Sequence, residues 1–153
     1  MRQSSAAGIL RTPRQAVALY ATTIHFEAGD RLLLIVPERQ DIRFEVRNGK
    51  AGSGQAAGVG LFTDLRDLTE EGSGAVPSPG MLGLFANIKA VLVDASSGET
   101  LAVQHSADGI SISGRRSPDF NPWNAASAAE KLDKLKSLLA GSVDNMLTKL
   151  FVP

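Results

Sequence analysis

The sequence predicts one α/β domain, in which a mixed or largely antiparallel sheet of roughly four to six strands carries packed helices. Three observations predict this class: a helical pattern over residues 13–28, strand-like apolar runs in mid-chain, and a long amphipathic pattern over residues 125–151. An α+β arrangement stays open. With 153 residues, the chain can bury a core without metals or disulfides. We expect a single domain over 1–153, with 1–11 as a flexible N-terminal segment.

The first two elements are a helix and a strand. Thr12 is a good N-cap, and Pro13 suits the first helical position, where its missing N–H has no partner to lose. Gly29 favours a left-handed stop, so we predict a helix over 13–28. Residues 31–36, RLLLIV, then run almost wholly apolar up to a proline. Such a run is typical of a central strand covered on both faces.

The middle of the chain alternates short strands with loops of small residues. Residues 41–46, DIRFEV, alternate apolar and polar positions, which indicates a half-buried strand. Residues 52–60, GSGQAAGVG, are predicted to form a flexible connection. A further strand is expected over 59–65.

The strongest strand signal is a hairpin over residues 86–103, ANIKAVLVDASSGETLAV. Apolar residues lie on both faces of its first strand, which predicts a central position: Ile88, Ala90 and Leu92 on one face, Val91 and Val93 on the other. Asp94 begins the turn, and Gly98 supplies the left-handed residue that closes it. We therefore interpret Asp94 as a turn former and not as a catalytic acid. A short strand is expected over 109–114.

The last element is a long helix over 125–151. Ser127 and Glu130 have the spacing of a capping box, although Asn124 is a rival N-cap. Apolar residues then recur every three or four positions and predict a stripe that packs across the sheet: Leu132, Leu135, Leu139, Val143, Met146 and Leu150.

Composition excludes several classes of function. Sixteen basic and sixteen acidic residues give a net charge of zero, which argues against a nucleic-acid partner. The absence of cysteine removes disulfides, thiol nucleophiles and Cys-ligated zinc. No apolar run approaches the ~20 residues of a membrane helix. The chain shows no signal peptide, so we expect a cytoplasmic protein, or a periplasmic or envelope protein if a signal peptide was trimmed.

An enzymatic alternative rests on Ser111. The segment GISIS resembles the nucleophile elbow G-x-S-x-G, but Ser113 stands where the closing glycine belongs. His105 and Asp108 lie nearby in sequence, so a serine hydrolase stays open as an alternative function.

A second alternative is a small-ligand binding module built on the glycines of residues 52–60. The dinucleotide fingerprint needs a particular glycine spacing and a following helix, and this segment has neither. With two histidines and no cysteine, the sequence also offers no convincing zinc site. We therefore assign no catalytic, cofactor-binding or metal-binding residue, and we predict no cofactor.

A candidate partner surface lies just before the last helix. Phe120 and Trp123 are two of only eight aromatic residues, and they occur in a polar, proline-containing connection. They either plug the edge of the core or anchor a partner, because Trp is favoured at interface hot spots. Arg115 and Arg116 precede them and could add charge to that surface.

Two segments together resemble a family. GDRLLLIVP after an alanine-rich helix, and FANIKAVLVDASSGETLAV ahead of a long helix, are similar to small α/β proteins of the bacterial cell envelope. The group includes the amino-terminal domain of TolB-type proteins and lipoproteins related to curli assembly. The resemblance implies a non-enzymatic envelope or secreted protein that acts by protein–protein contact, and it leaves a homo-oligomer open. The chain lacks the N-terminal cysteine of a lipoprotein, so no lipid anchor and no functional residue carries over.

Overall fold

The computed structural model describes residues 14–15, 18, 25–46, 49–65 and 80–151. The predicted flexible segment 1–11 lies outside these residues, as does most of the predicted helix 13–28. Within that helix, Arg14, Gln15 and Ala18 are helical, whereas residues 25–27 have no regular secondary structure.

In the described part of the chain, seven strands precede a long helix. The strands are β1 (Arg31–Pro37), β2 (Arg39–Asp41), β3 (Phe44–Val46), β4 (Gly49–Ala51), β5 (Gln55–Asp64), β6 (Met81–Asp94) and β7 (Thr100–Ser113). The helix α1 spans Ala128–Phe151. Short 3-10 turns cover Gly114–Arg116 and Pro122–Ala125. Ser127 caps α1, since its Oγ accepts from the Glu130 N–H at 3.1 Å, and this confirms it over Asn124 as the N-cap.

The main sheet has five strands in the order β1-β6-β5-β2, with β7 also paired to β6, and β3 and β4 form a separate antiparallel pair. The antiparallel sheet and its C-terminal helix confirm the α/β class in its coarse form. Strand β6 is buried along almost its whole length, which confirms the central position predicted for the first hairpin strand.

Two strand predictions are wrong. Among the described strands β1 pairs with β6 alone, and its Ile35 is 42% exposed, so residues 31–36 are not a central strand. The longer β6 takes that place because its 14 residues can pair with β1, β5 and β7. Residues 55–60 belong to β5, so most of the expected flexible connection is a strand, and only residues 52–54 link β4 to β5.

The contacts between residues divide the chain into two compact units. The first unit is Met1–Ile35 with Ala90–Val103, and the second is Val36–Lys89 with Gln104–Pro153. The prediction of one domain over 1–153 stays a prediction.

In the first unit, Asp94 shapes the hairpin turn as predicted. Its Oδ1 accepts from the backbone N–H groups of Ser96 and Ser97, at 3.0 and 2.8 Å, and from both hydroxyls. These bonds, led by that of the Ser96 hydroxyl, lower the pKa of Asp94 to about 2. Gly98 closes the turn with a φ of +70°, in the left-handed region that favours glycine.

In the second unit, one face of the sheet packs on α1. The cluster on this face consists of Leu82, Leu84, Ile112, Ala125 and Ala126, with Leu61, Leu135 and Leu138 packed against it. These contacts show that the C-terminal helix lies on the sheet, as the amphipathic pattern predicts. The predicted stripe is wrong at its start, because Leu132 is 51% exposed and Lys131 is buried instead.

A second cluster of this unit is built around Phe44 and contains Ile42, Ala51, Met81 and Phe85 as well. The Phe44 ring lies against two glycines. A Cβ at Gly83 would collide with the ring at Cζ, and one at Gly109 would lie 2.9 Å from its Cδ1. Both strands therefore need glycine where the ring is seated.

We predict that Gly83→Ala destabilises the protein by about 1–3 kcal/mol, because the added methyl group overpacks the Phe44 ring. Chemical denaturation with circular dichroism measures the loss. Phe44→Leu should lower the free energy of unfolding less in the G83A background than in the wild type, since it relieves the collision. Equal losses in both backgrounds would show that the ring does not require the glycine.

We predict that Asp94→Asn lowers the melting temperature at neutral pH and has a much smaller effect near pH 2. The pKa of Asp94 is depressed from 3.8, so its stabilisation is present above the unfolded pKa and is lost as pH falls through about 2. Thermal melts of both proteins between pH 2 and pH 7 measure the difference. A difference that does not change with pH contradicts the role assigned to the ionised carboxylate.

Candidate functional site

The candidate surface lies on residues 114–127, the segment between β7 and α1, which we call the aromatic loop. Two capped 3-10 turns form it. Ser113 Oγ accepts from the Arg115 N–H at 3.3 Å, and Asn121 Oδ1 accepts from the Trp123 N–H at 3.0 Å. The Gly114 N–H also donates to the Gly80 carbonyl at 3.0 Å. Hydrogen bonds therefore fix the backbone at several points along the loop.

Asp119 organises the centre of the aromatic loop. Its carboxylate accepts from the Ser117 hydroxyl, from the Asn121 N–H at 3.0 Å and from the Asn124 side-chain amide at 2.7 Å. These bonds, that of Ser117 first, hold the pKa of Asp119 below its ordinary value. An ionised carboxylate with three donors is a strong local constraint on the backbone.

Phe120 is held in an unfavourable conformation. Its φ is +55°, the one positive value at a non-glycine residue among the described residues. A bulky side chain in this region costs of order 1–3 kcal/mol and persists only where the surroundings impose it. The side chain is nonetheless 60% exposed, so core packing does not explain the strain.

Trp123 follows Phe120 by three positions in the aromatic loop and is 48% exposed. The Nζ atom of Lys131, from the first turn of α1, lies 4.0 Å from the centre of its ring, within the range of a cation–π contact. The residues that enter the core are Pro122 and Ala125, both buried. Both aromatic side chains are therefore largely exposed, and their small neighbours Pro122 and Ala125 enter the core; whether the rings anchor a partner stays a prediction.

Arg115 and Arg116 are both exposed at the start of the loop. Arg116 Nη1 lies 3.1 Å from Glu130 Oε1, and the same oxygen lies 3.8 Å from Lys134 Nζ. The positive charge of Arg116 is therefore partly matched within the molecule. The four predicted surface residues lie on one short segment of the second unit.

The residues proposed for a serine hydrolase do not lie together. Ser111 and His105 are six positions apart on the same strand, β7. At ~3.3 Å per residue, they are separated by about 20 Å, far beyond a hydrogen bond. Asp108 accepts instead from the hydroxyls of Ser106 and Ser142. The described geometry does not bring the three predicted catalytic groups together.

His105 has a partner that the sequence analysis missed. Its Nδ1 lies 2.8 and 2.9 Å from the two carboxylate oxygens of Glu38, and Gln40 donates to the same carboxylate at 2.7 Å. Burial by itself raises the pKa of Glu38, but the bonds from His105 and Gln40 and the nearby charges of His105 and Lys89 outweigh it, so the pKa is lowered. No local pattern signals this pair, because 67 positions separate its members.

The glycine-rich segment 52–60 does not form a phosphate loop. Residues 55–60 lie within β5, and the next described element along the chain is the strand β6. Within the described residues, no three histidine or acidic side chains are grouped so that they could hold a metal ion. No described helix is long and apolar enough to cross a membrane.

Comparison with known proteins gives no relative: the chain matches no protein-family model, no curated protein and no solved structure. The resemblance to envelope proteins therefore stays a prediction.

We predict that the emission of Trp123, the single tryptophan, changes as acid protonates Asp119. The depressed pKa keeps the carboxylate ionised down to a pH below 3.8, so the midpoint should lie below that value. An acid titration of intrinsic fluorescence measures it. Asp119→Asn should remove the transition, whereas Asp133→Asn on α1 should retain it. A transition that persists in D119N contradicts the proposed control of the loop.

Proposed function

We propose that the protein acts by binding another protein through the aromatic loop and not by catalysis. One observation carries this proposal: Phe120 is held at positive φ by a hydrogen-bonded loop, with most of its side chain in solvent. Strain that serves no internal packing is characteristic of functional sites. Trp123 beside it supplies a second aromatic group of the kind that dominates binding energy at interfaces.

The rigidity of the loop supports the same function. A partner that binds preformed aromatic anchors does not have to order them, so less free energy is lost on association. The Asp119 hydrogen bonds and the two capped turns provide this preorganisation. The partner that fits this surface offers an apolar pocket for the two rings.

An envelope or secreted location belongs to the proposal, and it rests on the resemblance of residues 29–37 and 85–103. An N-terminal helix that starts at residue 13 and ends before residue 25 is the finer part of the proposed fold. Cell fractionation of the native organism, with an antibody against this chain, tests the location independently of the binding surface.

We predict that a photoreactive benzoylphenylalanine at position 120 crosslinks to a partner in extracts of the native organism, and that the same group at position 151 does not. Phe151 is a matched control because it is 54% exposed but lies at the far end of α1. An excess of unlabelled wild-type protein should compete for the crosslink, and Trp123→Ala protein should compete at least tenfold less well. Crosslinks of equal yield and identity from both positions contradict the proposal.

The strain at Phe120 gives a second, independent prediction. Phe120→Gly should be about 1 kcal/mol more stable than Phe120→Ala, because glycine adopts a positive φ without a steric penalty. Both variants should lose partner binding to a similar extent, since both remove the ring. Denaturation measures stability, and competition in the crosslinking assay measures binding. A glycine variant that is less stable than the alanine variant would show that the backbone at this position is not strained.

A further inference from the structure

The outer edge of β7 is unpaired in the part of the chain that the structure describes, where β7 pairs with β6 only. In the second unit this edge covers residues 104–113, about 33 Å of strand at ~3.3 Å per residue. It presents a row of backbone N–H and C=O groups. The group that satisfies such a row most completely is another β-strand.

This edge carries few of the features with which proteins guard exposed strands. Natural edges carry lysines, prolines or inward-pointing charges that prevent pairing. Residues 104–113, QHSADGISIS, contain no lysine, arginine, glutamate or proline. The single acid, Asp108, is held by hydroxyl groups within the molecule, including that of Ser142 at 2.5 Å. Asp108 is therefore the one inward-pointing charge of the segment, its carboxylate already has partners, and no lysine or proline opposes the approach of a second strand.

A groove runs beside the edge, between β7 and α1. Its volume is about 660 Å³, and it is lined by Ile110 on the strand and by Glu130, Asp133, Lys134, Ser137 and Leu138 on the helix. Ile110 is 36% exposed within it. Side chains of an added strand would therefore meet an apolar floor and a helix wall that carries charges of both signs.

Gly141 extends this helix wall. It lies four residues after Ser137, hence on the same side of α1. Glycine disfavours a helix interior relative to alanine. Outside α1 itself, no atom of the described residues comes within 4 Å of a Cβ built at Gly141, so the packing that the structure describes does not require glycine here. The helix flank is therefore open at this position to a close approach by another molecule.

We propose that a second copy of this chain occupies the edge. Residues 104–113 of two copies pair antiparallel about a two-fold axis and bring the two α1 flanks together near Ser137 and Gly141. An isologous contact needs a self-complementary surface. The neutral strand meets this requirement, and so does the helix flank, because antiparallel helices that cross midway between Ser137 and Gly141 bring Lys134 of one copy opposite Asp144 of the other. The net charge of zero removes the repulsion that keeps many proteins monomeric.

Sedimentation velocity of the full chain between 1 and 500 µM tests the dimer. We expect a concentration-dependent dimer whose dissociation constant rises at least tenfold in Ile110→Lys. Val59→Lys is the matched control: Val59 is 39% exposed but lies on β5, between β6 and β2. Val59→Lys should leave the dissociation constant of the dimer unchanged. A monomer at 500 µM overturns the proposal, and so does a dimer that both substitutions weaken equally.

Gly141→Leu provides a second route if Ile110→Lys disturbs folding, as judged by circular dichroism. Leucine is a good helix former, and its Cβ would meet no described atom outside α1, so α1 should stay intact while the dimer weakens at least tenfold. A dimer that tolerates G141L overturns the proposed contact. Phe120→Ala should leave the dimer unchanged, which separates this inference from partner binding by the aromatic loop.

Discussion

The structure depends first on the burial of β6. This 14-residue strand is apolar on both faces and is almost wholly buried. Other elements must therefore pack on both of its faces, and other strands must pair with both of its edges. In the second unit, α1 packs against the face that carries Leu82 and Leu84, and the Phe44 ring lies against the residues around Gly83. A strand of this kind cannot stand at an edge, because its backbone groups would be buried without partners.

Helix α1 covers one face of β6 with an apolar stripe that also contains two polar residues. Lys131 and Ser142 are buried along with Met146, and each of the two polar groups has a partner. Lys131 lies over the ring of Trp123, and Ser142 donates to Asp108. Because an unpartnered buried polar group costs several kcal/mol, these contacts favour one rotation of the helix about its axis. The contact between Lys131 and Trp123 therefore helps to orient the helix and also covers one face of the Trp123 ring.

The parts of this fold that could be predicted from the sequence are those with local causes. The Asp94 turn, the Ser127 cap and the double-faced apolar pattern of β6 each depend on residues a few positions apart. Which strand takes the central position of the sheet could not be predicted. Residues 31–36 are as apolar as β6, but only β6 is long enough to pair with three other strands. The pairing of Glu38 with His105 was missed for the same reason, since it depends on strand order. At the candidate site, the polar setting of Phe120 and Trp123 left core plugging and exposure both open, and no local pattern signals the strained backbone at Phe120.

The aromatic loop keeps its shape through internal bonds and not through its charged neighbours. The Arg116–Glu130 pair is partly exposed, and pairs of that kind contribute about 0–1 kcal/mol. The Asp119 carboxylate, by contrast, accepts three hydrogen bonds within the eight residues 117–124. A partner could therefore displace Arg116 from Glu130 at little cost, while Phe120 stays fixed. Because Glu130 also lines the groove beside β7, its charge faces both surfaces, but neither surface requires the other for its geometry.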